Sequence, residues 1–261
     1  MEQRVPILVY HHVYPEGHPD LGVTSNTKAT GIIGEAEFRR HLQYIDENGW
    51  NVVSTSHIVD HIEHGSPLPE RAVALHFDNG WLDTYSGVRP ILKEHGIVGG
   101  ICYIISEPTA AASEGKPAGI QTTTEGYVLK PFLTWDHAKE MLDEGWEIGA
   151  HTATHPKLAE VHKASGDAGV LAEVGPPNET FERHLGFVPE HFAYPSGSRN
   201  ERTDALLSPH YRSLRLWTFS VPPQWAYTTR STSPKALECQ NVDNTVPFED
   251  FTRIFTEALG R

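Results

Sequence analysis

Asp78 stands in the segment His76-Phe77-Asp78-Asn79-Gly80-Trp81, directly after the apolar run at 71–75. Such a run reads as a strand buried in a parallel sheet, so the carboxylate falls where a strand ends and a glycine-containing turn begins. In α/β folds that edge is where reacting groups are presented. Further along, His151-Thr152-Ala153-Thr154-His155 follows a second strand-like run at 146–150. Two imidazoles four residues apart fall on one side of a helical turn and can hold one metal ion together. An acid at one strand end and a histidine pair at another are the parts of a metal-assisted hydrolase.

The elements that must position these groups alternate along the chain in the manner of parallel βαβ units. Strands are predicted at 5–10, 50–53, 71–77, 98–105, 146–150, 191–194 and 212–216. Between them, 35–48 is amphipathic with Phe38, Leu42 and Ile45 on one face, and Gly49 stops it. Ser54 or Thr55 can cap a helix over 57–64, and Thr134 opens one over 135–144. The helix at 84–95 is expected to break or kink at Pro90. Shorter helices are predicted at 179–185 and 203–207. The last, at 248–259, turns Phe251, Ile254, Phe255 and Ala258 inward. About seven βα repeats and no Pro/Ser-rich linker point to one domain over 1–261. On a barrel reading, two long connections, 15–34 and 107–131, leave from strand ends on the same side as Asp78 and His151. Irregular stretches of that length are usually functional or mobile, and both are candidate walls of a substrate groove.

Composition narrows the function further. The 261 residues carry a formal charge of −13, which argues against nucleic acid or an anionic membrane as partner. No run approaches the roughly 18 apolar residues of a transmembrane helix. Two cysteines, Cys102 and Cys239, allow neither a disulfide framework nor a cysteine-rich zinc site, and Cys102 reads as a small buried hydrophobe. A Rossmann dehydrogenase is excluded because no Gly-rich turn follows the first strand. The N-terminus lacks a signal-peptide pattern. The expected location is therefore cytoplasmic if the chain is complete, and extracellular or in the cell envelope if a leader was trimmed.

Taken in order, these motifs resemble the NodB-homology polysaccharide deacetylases, most closely the branch that acts on poly-N-acetylglucosamine. The opening strand Ile7-Leu8-Val9-Tyr10-His11 is similar to that branch's first strand. His76 to Trp81 resembles its T-F-D-D-G-Y motif, His151 to His155 its H-[ST]-x-x-H, and Tyr194-Pro195-Ser196-Gly197 its Y-P-Y-G segment. The resemblance implies an α/β fold, a distorted, incomplete (β/α)7 barrel. It implies hydrolysis of N-acetyl groups on sugars with one divalent metal ion, zinc foremost, with cobalt, nickel or manganese as alternatives. Asp78 would be the general base and His11 the general acid. His151 and His155 would ligate the metal. Ser196, with Tyr194 and Pro195, would form the segment whose backbone N–H holds the oxyanion.

Two departures stand out. Asn79 replaces a second aspartate that usually completes the metal triad. An amide oxygen can ligate without formal charge, which leaves three readings open: weaker or different metal use, a substitution that disables turnover, or a lineage that abandoned the metal. Ala193 replaces an arginine, so the group that orients Asp78 must come from elsewhere. His12 points to the other side of the strand, and His76 reads as structural. Trp81, Trp135, Trp217 and Trp225 are possible sugar-stacking surfaces. Two rival functions remain: a small-molecule amidase or deacylase on the same fold, and a carbohydrate-binding protein with impaired turnover.

Overall fold

A computed structural model describes residues 2–22, 30–217 and 225–260. Seven parallel strands form one curled, open sheet in the order Ser213–Arg215, His191–Ala193, Glu147–Ala150, Ile101–Ile104, Ala72–Phe77, Ile7–Tyr10, Gln240–Asn241. A short strand, Asn51–Val52, pairs with the start of Ala72–Phe77. Each link between parallel neighbours needs a crossover, and helices supply most of them. This is the incomplete (β/α)7 barrel expected from the sequence. Because the strands run parallel, their C-terminal ends share one edge of the sheet.

The central strands form where the sequence is continuously apolar. All residues of Ile7–Tyr10, Ala72–Phe77 and Ile101–Ile104 are buried. The helix Glu35–Glu47 buries Phe38, His41, Leu42 and Ile45, the one-face spacing read from the sequence. Ser54 caps the helix Thr55–His64 by accepting from the His57 N–H. Thr134 caps Trp135–Asp143 in a reciprocal arrangement with His137. The final helix, Phe248–Ala258, buries Phe251, Ile254 and Phe255.

Some elements differ from expectation for local reasons. The strand predicted at 98–105 shortens to Ile101–Ile104, because Val98 is exposed and a Cβ at Gly100 would lie 2.3 Å from the Leu75 carbonyl oxygen. The segment after Asp83 is a π-helical turn, Thr84–Val88, running into the helix Arg89–Glu94. Pro90 sits in that helix's first turn, where its missing N–H costs nothing, so the break expected at Pro90 takes the form of a change from π- to α-helix. The helix Leu158–Ala172 escapes the sequence pattern: its apolar residues do not gather on one face, and Gly166 breaks it with φ 64°. The strand Gln240–Asn241 is too short and polar to announce itself.

The two long connections are partly regular. The first holds a 3-10 turn, Pro19–Gly22, and the strand Ile32–Gly34, which pairs with His12–Tyr14; residues 23–29 of that connection lie outside the described residues. The second holds the helix Ser106–Ser113 and an antiparallel hairpin, Gly119–Thr122 with Gly126–Leu129. Among the described residues no helix is long and apolar enough to cross a membrane.

One core histidine makes stability depend on pH. His41 is buried, stacks on Phe251 with ring centroids 3.7 Å apart, and shares a 3.2 Å hydrogen bond with the Tyr10 hydroxyl. Burial, with a smaller contribution from Arg40, lowers its pKa to about 3. An unfolded histidine titrates near 6.5, so between those values the unfolded chain binds a proton that the fold refuses. Stability therefore falls as pH drops below about 6.5, by about 1.4 kcal/mol per pH unit for this one group. Urea unfolding at pH 7 and pH 5 should show a smaller loss for His41→Phe than for the wild type. Equal losses would mean that His41 is protonated within the fold.

Candidate active site

The strand ends converge on one cleft with an empty volume of about 540 Å³, lined among others by His11, Asp78, Asn79, His151, His155 and Ser196. Asp78 continues from Ala72–Phe77 and is held to the first strand by its N–H on the Tyr10 carbonyl, 3.0 Å away. His11 follows Ile7–Tyr10, His151 follows Glu147–Ala150, and Ser196 lies in the turn after His191–Ala193. Six residues scattered through the sequence thus face one space because parallel strands end together.

Asp78 is buried and bound by Arg215, whose Nη2 lies 2.5 Å from Oδ1 and 2.6 Å from Oδ2. Burial by itself pushes the carboxyl up, but Arg215, then His151 and His11, outweigh it and bring the pKa down to about 2. Arg215 is the functional residue that sequence reasoning missed. It is fully buried, and its guanidinium lies 5.0 Å from the centre of the Tyr103 ring. In the sheet, Arg215 is the register partner of Ala193. Register partners on adjacent parallel strands present their side chains to the same face, so the cation missing at 193 is supplied from the next strand. The signal was an arginine inside the strand-like run Ser213-Leu214-Arg215-Leu216, since a charge there has to be paired.

His151 Nδ1 is 2.7 Å from the Ala193 carbonyl oxygen, and His155 Nδ1 is 2.9 Å from that of Gln121. A carbonyl only accepts, so each Nδ1 carries the proton and each Nε2 keeps its lone pair. Burial lowers His151 to about 3 and His155 to about 4, which keeps both rings neutral near pH 7. Their centroids are 5.0 Å apart. The helical turn expected to bring them together is absent. Thr152 and His155 both have φ 69°, and the Glu173 carboxylate accepts from the N–H groups of Ala153 and Thr154, so a pinned loop does the work of a helix.

Asn79 has φ 76°, a left-handed conformation that asparagine adopts more readily than most residues. Its Oδ1 is buried without a hydrogen-bond partner among the described residues. Beside two imidazole lone pairs, this is a third acceptor with no donor to satisfy it. Such a donor set fits a cation. Among the described residues no trio of His, Cys, Asp or Glu could hold a metal, because the third oxygen here belongs to an amide.

His11 Nε2 lies 3.9 Å from Asp78 Oδ2, and its Nδ1 is buried without a partner among the described residues. Burial lowers its pKa, while the Asp78 charge opposes that shift. His12 also borders the cleft, but its Nδ1 is engaged 3.0 Å from Asp83 and its ring stacks on Trp81 at 4.6 Å. His76 is buried, 3.2 Å from the Thr55 hydroxyl, in the structural role expected of it. Of the Tyr194-Pro195-Ser196 segment, Ser196 lines the cleft, whereas Tyr194 is buried with its hydroxyl on Asp204 at 2.8 Å. The sequence had grouped the three. Strand alternation sends the Tyr194 ring into the core, which leaves untouched the backbone role expected of the segment.

Residues 65–211, more than half of the chain, match the polysaccharide deacetylase family. The chain belongs to that family. It is 24% identical over 200 residues to YxkH of Bacillus subtilis (strain 168), covering 77% of this chain and 59% of that protein, so it spans about three fifths of that relative's length. A stretch of 55 residues is 42% identical to the poly-beta-1,6-N-acetyl-D-glucosamine N-deacetylase of Escherichia coli (strain K12), covering 21% of this chain and 8% of that one. The structure of Streptococcus pyogenes deacetylase PplD in complex with acetate superposes with a TM-score of 0.77 at 20% identity, covering 98% of this chain and 99% of that one. IcaB from Ammonifex degensii gives 0.72 at 20%, covering 98% and 97%. At these identities the two structures establish the fold.

The deacetylase-family cleft is walled by the long connections singled out in the sequence. Thr30 and Gly31 border it from the first; Thr122 to Glu125, the hairpin tip, border it from the second. The Thr123 and Ser196 hydroxyls meet across it at 2.7 Å. Lys130 pins the hairpin, 2.9 Å from Glu125 and 3.2 Å from Asp20. Of the four tryptophans, Trp81 and Trp217 line the cleft, Trp135 belongs to the core, and Trp225 packs partly buried against that core.

Proposed function

We propose that the chain is a metal-dependent hydrolase that removes N-acetyl groups from N-acetylated saccharides, with oligomers of N-acetylglucosamine as its substrate class. The observation that carries this reading is the composition of the cleft: an ionised Asp78 held by Arg215, beside three acceptors that suit a cation, two imidazole nitrogens and the Asn79 Oδ1, which has no hydrogen-bond partner among the described residues. Family membership over residues 65–211 supports it.

His151, His155 and Asn79 would hold a divalent ion. Bound there, the ion would acidify a water molecule and draw charge from the acetyl carbonyl. The chain's own groups do the rest. Asp78, kept as a carboxylate and fixed by Arg215, takes the proton of the attacking water. The Ser196 backbone N–H donates to the developing oxyanion. His11, whose Nε2 lies 3.9 Å from Asp78, would relay the proton that Asp78 takes from water to the departing nitrogen, so the C–N bond breaks to release an amine and acetate. Zinc is the first ion to test, with cobalt, nickel and manganese beside it.

The test is metal content of chelator-stripped, reloaded protein, paired with acetate release from N-acetylglucosamine oligomers. One bound equivalent with acetate release is the expected result. A stoichiometric ion without release from any sugar would overturn the saccharide reading in favour of a small-molecule amidase. Sugar binding with neither ion nor product would indicate a binding protein.

A further inference from the structure

The hairpin that walls the cleft has an outer face that its role as a wall leaves unexplained. Antiparallel ribbons usually turn polar side chains to water and apolar ones to the core. Here the inner face obeys: Ile120 and Val128 pack with Trp81, Ile105 and Phe132. The outer face carries Tyr127 and Leu129, 65% and 67% exposed. Two large apolar side chains on one exposed face mark a contact surface.

Gly119, which pairs with Leu129, explains how they sit. A Cβ there would come within 2.8 Å of the Tyr127 hydroxyl and 2.9 Å of Leu129 Cδ2, so both side chains lie down across the bare glycine. With its hydroxyl over Gly119, Tyr127 reaches across the ribbon while staying largely exposed. Beside it runs an open groove lined by Glu107, Pro108, Pro117, Gln121, Tyr127 and Thr154. This groove adjoins the cleft. Gln121, the register partner of Tyr127, gives its carbonyl to His155, and the next residue, Thr122, already lines the cleft.

We propose that this outer face is a distal saccharide subsite, in which Tyr127 stacks on a pyranose ring while the oxygens of Gln121 and Thr154, whose donors are engaged by the Thr122 carbonyl and Glu173, accept from hydroxyl or acetamido groups. A largely exposed aromatic ring beside polar side chains, Glu107 among them, suits the apolar face and polar rim of a sugar ring. The occupant is the continuation of the saccharide whose reacting unit sits in the cleft, so the inference rests on the saccharide reading proposed above.

The experiment compares an N-acetylglucosamine dimer with a hexamer, for the wild-type chain, Tyr127→Ala and Tyr127→Phe. Binding is followed by calorimetry and turnover by acetate release. The preference of kcat/KM for hexamer over dimer should fall roughly three- to tenfold in Tyr127→Ala, through KM, and should survive in Tyr127→Phe, which keeps the ring. An unchanged preference in Tyr127→Ala overturns the subsite while leaving the deacetylase reading intact. If no acetate appears but the wild type binds hexamer and Tyr127→Ala weakens that binding, the subsite stands and the proposed reaction falls. If the wild type neither binds nor turns over either oligomer, both fall.

Discussion

Arg215→Leu should lower kcat by at least about a hundredfold and destabilise the fold by about 3–5 kcal/mol, the usual cost of stripping one partner from a buried ion pair. The reasoning is electrostatic. Burial raises the Asp78 carboxyl, and Arg215 is the largest influence that brings it down. Without the guanidinium the desolvation cost prevails, and the carboxyl should titrate above its unfolded value, near 3.9. The acid limb of the pH profile of kcat/KM should then move to higher pH, because the base is protonated under milder acid. A merely structural arginine would change stability and leave that limb in place. Arg215→Lys keeps a charge but not the planar donor geometry, so it should recover stability better than rate.

A sharper version uses the sheet register. Ala193 and Arg215 are cross-strand partners, and the positive charge expected at 193 stands instead at 215. The double variant Ala193→Arg with Arg215→Ala moves the guanidinium back across the ladder. Recovery of a substantial part of the lost kcat would show that Asp78 needs a cation from that face, whichever strand provides it. No recovery, with folding intact, would mean that the approach of Nη2 to both carboxylate oxygens is itself required.

The same exchange shows why the sequence was readable up to a point. Asp78, His151 and His155 follow apolar runs, and a parallel sheet brings all such ends to one edge, so their convergence was implied by the repeat pattern alone. Arg215 lies 137 positions from Asp78 in sequence, and their contact depends on strand order, which periodicity does not encode. The helix Leu158–Ala172 was illegible for another reason: glycine within it and apolar residues spread around it leave no stripe to read. The His151–His155 pair was found by a spacing rule whose helical premise fails here. What holds the pair is Glu173 on the loop amides and two remote carbonyls, at Gln121 and Ala193, none of which the motif contains. Tyr127 went unread because an exposed aromatic is a property of the fold, visible only once Gly119 is seen opposite its strand.

Asn79→Asp should tighten divalent-ion binding by at least about tenfold, or about 1.4 kcal/mol, measured by competition with a chelating indicator. As it stands, the site offers two neutral rings and an amide oxygen, with Asp78 the nearby negative charge. A second carboxylate at 79 adds a full charge at the oxygen that has no partner among the described residues. The metal-free variant must carry that charge in a buried place beside Asp78, where like charges raise each other's pKa and strain the apo fold. Its melting temperature without metal should therefore fall below the wild type, and with zinc rise above it. That inversion needs no turnover to be seen, so it separates the ligand role of residue 79 from any effect on catalysis. Equal zinc affinity in the two proteins would remove Asn79 from the ligand set, and its unbonded oxygen would then need a donor from the substrate instead.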